Sequence, residues 1–341
     1  DDKISGLGTA TWVDPLSNDT YCTSLNVINF NASIASFDND QLGGVSDLNT
    51  SSSATTLTDI VGAGEGIHGN NWFVGENGDV TSTDATYQIC TSKTVDSLGE
   101  VEGTCPEAPK SDGSFQIAGL AHYAYTNDIR NDLEEDQNVK TYGVALAAAV
   151  PKIVVPLATS TNPDRKVTIL PACRDHRMIP AGSCSIVNFV VIEQGSTEGS
   201  YYVQWEASAS GGDYDQDMGG IISYDVNLAN DSITVQTHII NKSASMESPF
   251  GYTISGVTTS PGSTVSADGF HAHSGVTTYN FTDPTGVVTN EGGVAGCVNC
   301  EFGDAPTSVT YGISDAGAGL LESPLYYAAK WGGYNKDNDT L

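Results

Sequence analysis

Residues 232–240 read Ser232-Ile233-Thr234-Val235-Gln236-Thr237-His238-Ile239-Ile240, with Ile233, Val235, Thr237 and Ile239 alternating with Thr234, Gln236 and His238. A strand sends successive side chains to opposite faces, so the alternation predicts a β-strand with one apolar and one polar side. Working outward, Ser185 to Glu193, Tyr201 to Glu206, Gly220 to Val226 and Gly251 to Val257 are also β-branched or aromatic, with turn residues between them. Together they predict an antiparallel meander. The stretch from Gly256 to Cys300 is rich in Gly, Thr and Ser and poor in pattern, and predicts long loops over the sheet.

Ahead of the meander the pattern is mixed. Leu25 to Phe30 is an apolar run ending at Asn31, followed by the turn-rich Asp38-Asn39-Asp40-Gln41-Leu42-Gly43-Gly44, which predicts a strand delivering an acidic loop. Between Ser114 and Tyr125, Ile117, Leu120, Ala121 and Ala124 fall at helical spacing, with Asp112 or Ser114 as the cap. Thr141 to Ala147 and Lys152 to Leu157 predict strands, so this half is expected to lay helices on a sheet. At the far end Ser323 is a good N-cap and Pro324 suits the first helical position. Leu325, Ala328 and Ala329 form a stripe, and Gly332 ends the helix. The expected class is α+β, mainly β. It divides into an α/β region at 1–170, an antiparallel β-rich domain at 171–310, and a C-terminal helix with an acidic tail at 311–341 that leads to a further domain.

The 341 residues hold 13 Lys and Arg against 42 Asp and Glu, a net charge of -29 that repels nucleic acids and anionic membrane surfaces and favours cations as partners. No apolar run reaches the ~18 residues of a membrane-spanning helix. The first residues, Asp1-Asp2-Lys3-Ile4, lack the basic and apolar parts of a signal peptide, so export would imply that such a segment had been removed. Asn-x-Ser/Thr sequons at Asn18, Asn31, Asn49, Asn230, Asn241, Asn280 and Asn338 are compatible with an exported protein. The cysteines fall into three local pairs, Cys90 with Cys105, Cys173 with Cys184 and Cys297 with Cys300, which suit disulfides in an oxidising compartment. Closing a loop of about 15 residues contributes roughly 3 kcal/mol. Cys22 is left over, and is expected as a buried free thiol or as a link to another chain.

The strongest chemical signal is Gly211-Gly212-Asp213-Tyr214-Asp215-Gln216-Asp217-Met218-Gly219-Gly220. Three aspartates at alternate positions among glycines can turn their carboxylates to one centre, and calcium takes about six to eight oxygen ligands of this hard type. Met218 and Tyr224 occupy positions where an EF-hand needs Gly and Glu, so further ligands would come from carbonyls, water or Asp225. Asp38 with Asp40, and Asp337 with Asn338 and Asp339, are lesser acidic turns of the same kind. His271, His273, Cys297 and Cys300 could complete a tetrahedral zinc shell, although Cys297 and Cys300 are more simply a tight disulfide. The chain has no Gly-x-Ser-x-Gly, no His-Glu-x-x-His and no phosphate-binding glycine loop, and its remaining histidines, His68, His122, His176 and His238, stand alone in the sequence. A non-catalytic protein is expected, and calcium is its expected cofactor.

Several segments resemble one family, the PilY/PilC-type proteins of type IV pilus biogenesis and tip adhesion in Gram-negative bacteria. They are TWVDPLSNDTYC (11–22), FDNDQLGG (37–44), GSFQIAGLAHYAYTNDIRNDL (113–133), VKTYGVALA (139–147), KVTILPACR (166–174), GGDYDQDMGGIISYDV (211–226), GYTISGV (251–257), DGFHAHSG (268–275) and SPLYYAAKWGGY (323–334). The resemblance implies that residues 1–170 are part of a von Willebrand A-like region, followed by the β-rich connection to a calcium-binding propeller. The Asp-x-Ser-x-Ser signature of a complete A domain is missing and the propeller lies beyond this chain, so the family's propeller calcium site has no counterpart here. The resemblance further implies a place outside the cell, at its surface or on the pilus, with pilus subunits, copies of the chain itself, or a host or abiotic surface as partners. Two other readings are a subunit of an extracellular fibre, built by strand addition at an open edge, and a secreted hydrolase.

Overall fold

The strand expected at 232–240 is present in the computed structural model, which describes residues 13–31, 44–78, 90–106, 113–145, 153–175, 182–183, 185–206, 218–242, 250–258, 270–275, 279–282, 288–291, 297–298, 306–315 and 317–333. Ile233, Val235, Thr237 and Ile239 are all buried, as their alternation requires. In chain order the N-terminal region contains β1 (Leu25–Asn31), α1 (Ala54–Gly64), β2 (Asn70–Val74), β3 (Glu76–Asn77), β4 (Thr91–Val95), β5 (Val101–Glu102), α2 (Gln116–Thr126) and β6 (Val139–Ala145). The β-rich region begins with β7 (Ile153–Pro156), β8 (Lys166–Asp175), β9 (Gly182–Ser183), β10 (Ser185–Gln194), β11 (Glu198–Glu206), β12 (Met218–Asn227) and β13 (Ser232–Lys242). It continues with β14 (Phe250–Ser255), β15 (Val257–Thr258), β16 (Phe270–Gly275), β17 (Tyr279–Thr282), β18 (Val288–Glu291), β19 (Cys297–Val298) and β20 (Thr307–Ile313). A closing segment carries β21 (Gly319–Leu320) and α3 (Pro324–Trp331).

Two sheets form a sandwich. One runs β10-β11-β12-β13-β20-β15 and contains the antiparallel meander; the other runs β19-β16-β14-β8-β7, with β9 on β8. Tyr201, Trp205, Ile222 and Val235 of the first meet Ile153, Val167, Ile169 and Tyr252 of the second in one continuous core. Each large side chain so buried contributes about 1.5–3 kcal/mol. The hydroxyls of Tyr252 and Tyr311 lie 2.8 Å apart inside this core and join the sheets. At the rim Arg165 donates to Asp231 Oδ2 at 2.5 Å and pairs with Asp315 at 3.1 Å. The chain changes sheets at Gly256, where φ is +85° and a Cβ would lie 2.2 Å from the Lys166 carbonyl oxygen; glycine is required there on both counts.

The stretch from Gly256 to Cys300 departs from the long loops expected of it. The short strands β15 to β19 lie there, because pairing with distant strands such as β20 and β14 supplies an order that local composition does not show.

In the N-terminal region α1 lies on α2 at glycine distance. A Cβ on Gly119 would come 2.3 Å from the Thr58 backbone nitrogen. Helix α2 starts at Gln116, with Phe115 in the cap position and the Gln116 N–H donating to Ser114 Oγ at 3.3 Å. Its buried residues are Ala118, Gly119, Ala121 and Ala124, whereas Ile117 and Leu120 are half-buried: the close approach of α1 moves the buried stripe onto the small residues. Helix α1 is not among the elements expected above. Its Thr and Gly content is poor for a helix, and Ser53, whose Oγ accepts the Thr56 N–H at 3.1 Å, together with tertiary packing holds it.

Helix α3 returns from the end of the sandwich to this region. Ser323 caps it, Pro324 sits in its first turn and Gly332 follows it, as expected. Trp331 donates through Nε1 to Glu65 Oε1 at 2.5 Å, Lys330 donates to the same carboxylate, and the indole fills the space over Gly64. Phe73, Cys90, Leu170 and Ala318 form a small core where the N-terminal region, the sandwich and the closing segment meet. Thr253 Oγ1 donates to the Cys90 carbonyl and the Ala318 N–H donates to Ser255 Oγ, each at 2.6 Å, so the junction is hydrogen-bonded as well as apolar.

Candidate functional site

Asp213, Asp215 and Asp217 lie outside the described residues, as do Asp38, Asp40, Asp337, Asp339, Cys184, Cys300 and His176. The strand that leaves the aspartate loop is described. β12 begins at Met218, and Asp225 stands seven residues along it, about 23 Å away at strand rise. Asp225 opposes Glu198 across the β11–β12 ladder, with both carboxylates exposed and repelling each other. Among the described residues no group of three or more His, Cys, Asp or Glu side chains could hold a metal. β16 carries His271 and His273, and β19 pairs with it in parallel so that Cys297 takes the register position of Ser274.

The disulfide expected between Cys90 and Cys105 is formed and closes 15 residues beside the junction core. Cys173 lies in β8 at the register position of Phe250. Cys22 is free and exposed, not buried, because the turn around Tyr21–Thr23 stays at the surface before β1 begins.

His68 does not stand alone in the fold. Asp59 Oδ1 accepts from Ser97 Oγ at 2.8 Å and from the Gly99 N–H at 3.0 Å, and His68 Nε2 lies 3.6 Å from the same oxygen. Residue types of a hydrolytic triad are thus close together, but their bonding differs from one. The Ser97 hydroxyl donates to the carboxylate, and His68 Nε2 accepts the Leu98 N–H at 3.3 Å. The hydroxyl faces the Asp59 carboxylate and not an imidazole, and the group ties the loop before β5 to α1. His122 packs edge-on against Trp331, with ring centroids 4.9 Å apart.

Three of the described cations are held in ion pairs within the chain. Arg130 binds Asp14 and Asp132 at 2.8 Å each, and its hydrogen bonds hold the Asp132 carboxyl below the ordinary carboxylate value. Arg165 and Lys330 are engaged with Asp231 and Glu65. The chain as a whole carries a net charge of -29. Two strand edges also face outward with apolar side chains, β1 through Val27, Ile28 and Phe30, and β10 through Val190, Val191 and Ile192. Among the described residues no helix is long and apolar enough to cross a membrane.

Comparison with known proteins assigns these regions. A family model described as "PilY1 homolog, second domain" matches residues 1–124, and one described as "PilY1 homolog, beta-sandwich" matches residues 185–296, the meander with β14 and β16 of the facing sheet. The type IV pilus biogenesis factor PilY1 homolog of Xylella fastidiosa (strain Temecula1 / ATCC 700964) is 26% identical over 323 residues, covering 84% of this chain and 21% of the relative. The chain thus spans about a fifth of that relative's length. No solved structure matches. With both its N-terminal region and its sandwich so matched, the chain belongs to the family of PilY1 homologs.

Proposed function

We propose that the chain is an extracellular, non-catalytic part of the type IV pilus system, a rigid acidic scaffold that presents binding loops to pilus subunits and to a surface. The observation that carries this reading is the match of both halves of the chain to PilY1-homolog domains, together with the relative's description as a pilus biogenesis factor. The Cys90–Cys105 disulfide supports a place outside the reducing cytosol. Deleting the gene in its own host and counting surface pili by electron microscopy tests it. Pili should be lost and restored by the intact gene; unchanged piliation and unchanged attachment to surfaces would remove the reading.

Within this reading the loop bearing Asp213, Asp215 and Asp217 holds calcium as a clasp at the start of β12, where a cation offsets the repulsion of three neighbouring carboxylates. Calorimetry on the chelated protein should show calcium binding that is lost when the three are changed to Asn. Absence of binding heat, or heat unchanged in the triple variant, rules out the clasp.

A further inference from the structure

The two apolar strand edges are built differently. β10 is protected: its ladder to β11 is interrupted between Ile186 and Asn188 and again between Val191 and Glu193, and it ends in exposed Glu193 and Gln194. Bulges and charges of this kind keep an edge from pairing with another chain. β1 has neither. Its seven residues, Leu25-Asn26-Val27-Ile28-Asn29-Phe30-Asn31, carry no charge and no proline, and they pair with β6 without a register shift. The outer side of β6 is already occupied at Thr141, whose N–H donates to the Gly332 carbonyl at 2.7 Å. The outer side of β1 has no strand among the described residues.

The faces are as uneven as the edges. Helices α2 and α3 cover the face of β6 that bears the buried Thr141, with Leu325 seated against Gly143. On the opposite face Ile28 is 60% exposed, Phe30 68% and Tyr142 48%, and Val27 at the edge is 49% exposed. Parallel strands occur almost always in sheets buried on both faces, usually by the helices that connect them, and a two-stranded sheet is too small to be stable by itself.

We infer that β1 is an interior strand of a larger sheet, completed by a strand-and-helix unit from a part of the polypeptide outside these 341 residues. The strand pairs with the outer side of β1, and the helix lies over Ile28, Phe30 and Tyr142. The aligned part being 21% of the relative, ample chain exists in the family to supply such a unit. A second copy of this chain fits less well. Pairing through β1 would lengthen the sheet but leave the bare face of each copy uncovered, and each copy carries a net charge of -29. The uncharged edge also calls for an apolar strand and not a basic peptide. This inference rests on packing and is independent of any role in pili.

The test compares the 341-residue chain with the full native gene product by hydrogen exchange. The outward amides of β1 should exchange at least about 100-fold more slowly in the native product, which should remain monomeric. Ile28→Lys with Phe30→Lys should leave the melting temperature of the isolated chain unchanged, both side chains being exposed, and lower that of the native product by about 4 °C or more. Three results would overturn the assignment. One is equal exchange of β1 in the two proteins. Another is protection in the isolated chain that grows with concentration as a dimer forms, which gives the edge to a second copy. The last is a native gene product no longer than this chain.

Discussion

In the sandwich, alternate residues of β11, β12 and β13 meet those of β7, β8 and β14 across one interior, and large side chains such as Trp205, Tyr201 and Tyr252 fill it. In the N-terminal region three helices meet over small residues, Gly64, Ala118, Gly119 and Ala121, and two of them, α2 and α3, lie on one side of β6, while Ile28, Phe30 and Tyr142 are exposed on the other side of the parallel pair. The sandwich satisfies its apolar surface within the chain. The N-terminal region closes its helical side with α3, brought back from the end of the sequence, and among the described residues no strand pairs with the outer side of β1. Stability is therefore expected to rest on volume in one region and on close approach in the other.

The largest test breaks the sandwich. Trp205→Ala should cost about 3–5 kcal/mol in urea unfolding. Because Phe73, Leu170 and Ala318 join the regions, both should unfold in one transition, and a separate N-terminal transition would mean that the junction is weak. Replacing Cys90 and Cys105 by Ser removes a 15-residue loop closure at that junction and should cost about 3 kcal/mol.

Gly119→Ala sharpens the contrast, since alanine in a free helix would gain about 1 kcal/mol. Here the new methyl meets α1 backbone atoms at 2.3 and 2.6 Å, and such overpacking costs about 1–3 kcal/mol or more. The expected net effect is destabilisation, and a stabilised variant would show that α1 and α2 can separate easily.

The smallest effect at neutral pH concerns the buried tyrosine pair. Burial holds the Tyr252 and Tyr311 hydroxyls above the ordinary phenol value. In the unfolded chain they ionise near pH 10, about the ordinary value, so above that pH the folded state binds more protons and stability falls as pH rises. None of this contribution is lost below about pH 10. Tyr252→Phe with Tyr311→Phe removes one hydrogen bond, worth about 0.5–1.5 kcal/mol at pH 7, and should flatten the loss seen between urea midpoints at pH 9 and at pH 11. An unchanged slope would mean that other groups dominate alkaline unfolding.

The strands of the meander are legible from the alternation in β13, and α3 from Ser323, Pro324 and Gly332, because these signals are local. Helix α1 is not legible. Its Thr and Gly residues oppose a helix, and what holds it is contact with Gly119, Trp331 and the Asp59–Ser97 hydrogen bonds, all made with residues far along the chain. For the candidate site, the aspartates and the first cysteine pair can be read directly. That Asp225 lies opposite Glu198, that Cys22 is exposed, and that His68 meets Asp59 are matters of distance between elements.

Sequence by itself determined the mainly β class, the strong negative charge, the caps of α3 and the one disulfide seen among the described residues, since each follows from spacing or composition within a short window. Tertiary structure alone decided that α3 completes a core begun at residue 61, that the chain changes sheets at Gly256, and that β10 is an interrupted edge while β1 pairs with β6 without a shift and with no second strand among the described residues. The physical reason is that periodicity states which side of an element is apolar. What covers that side depends on residues hundreds of positions away, and for β1 on a partner strand that none of the described residues supplies.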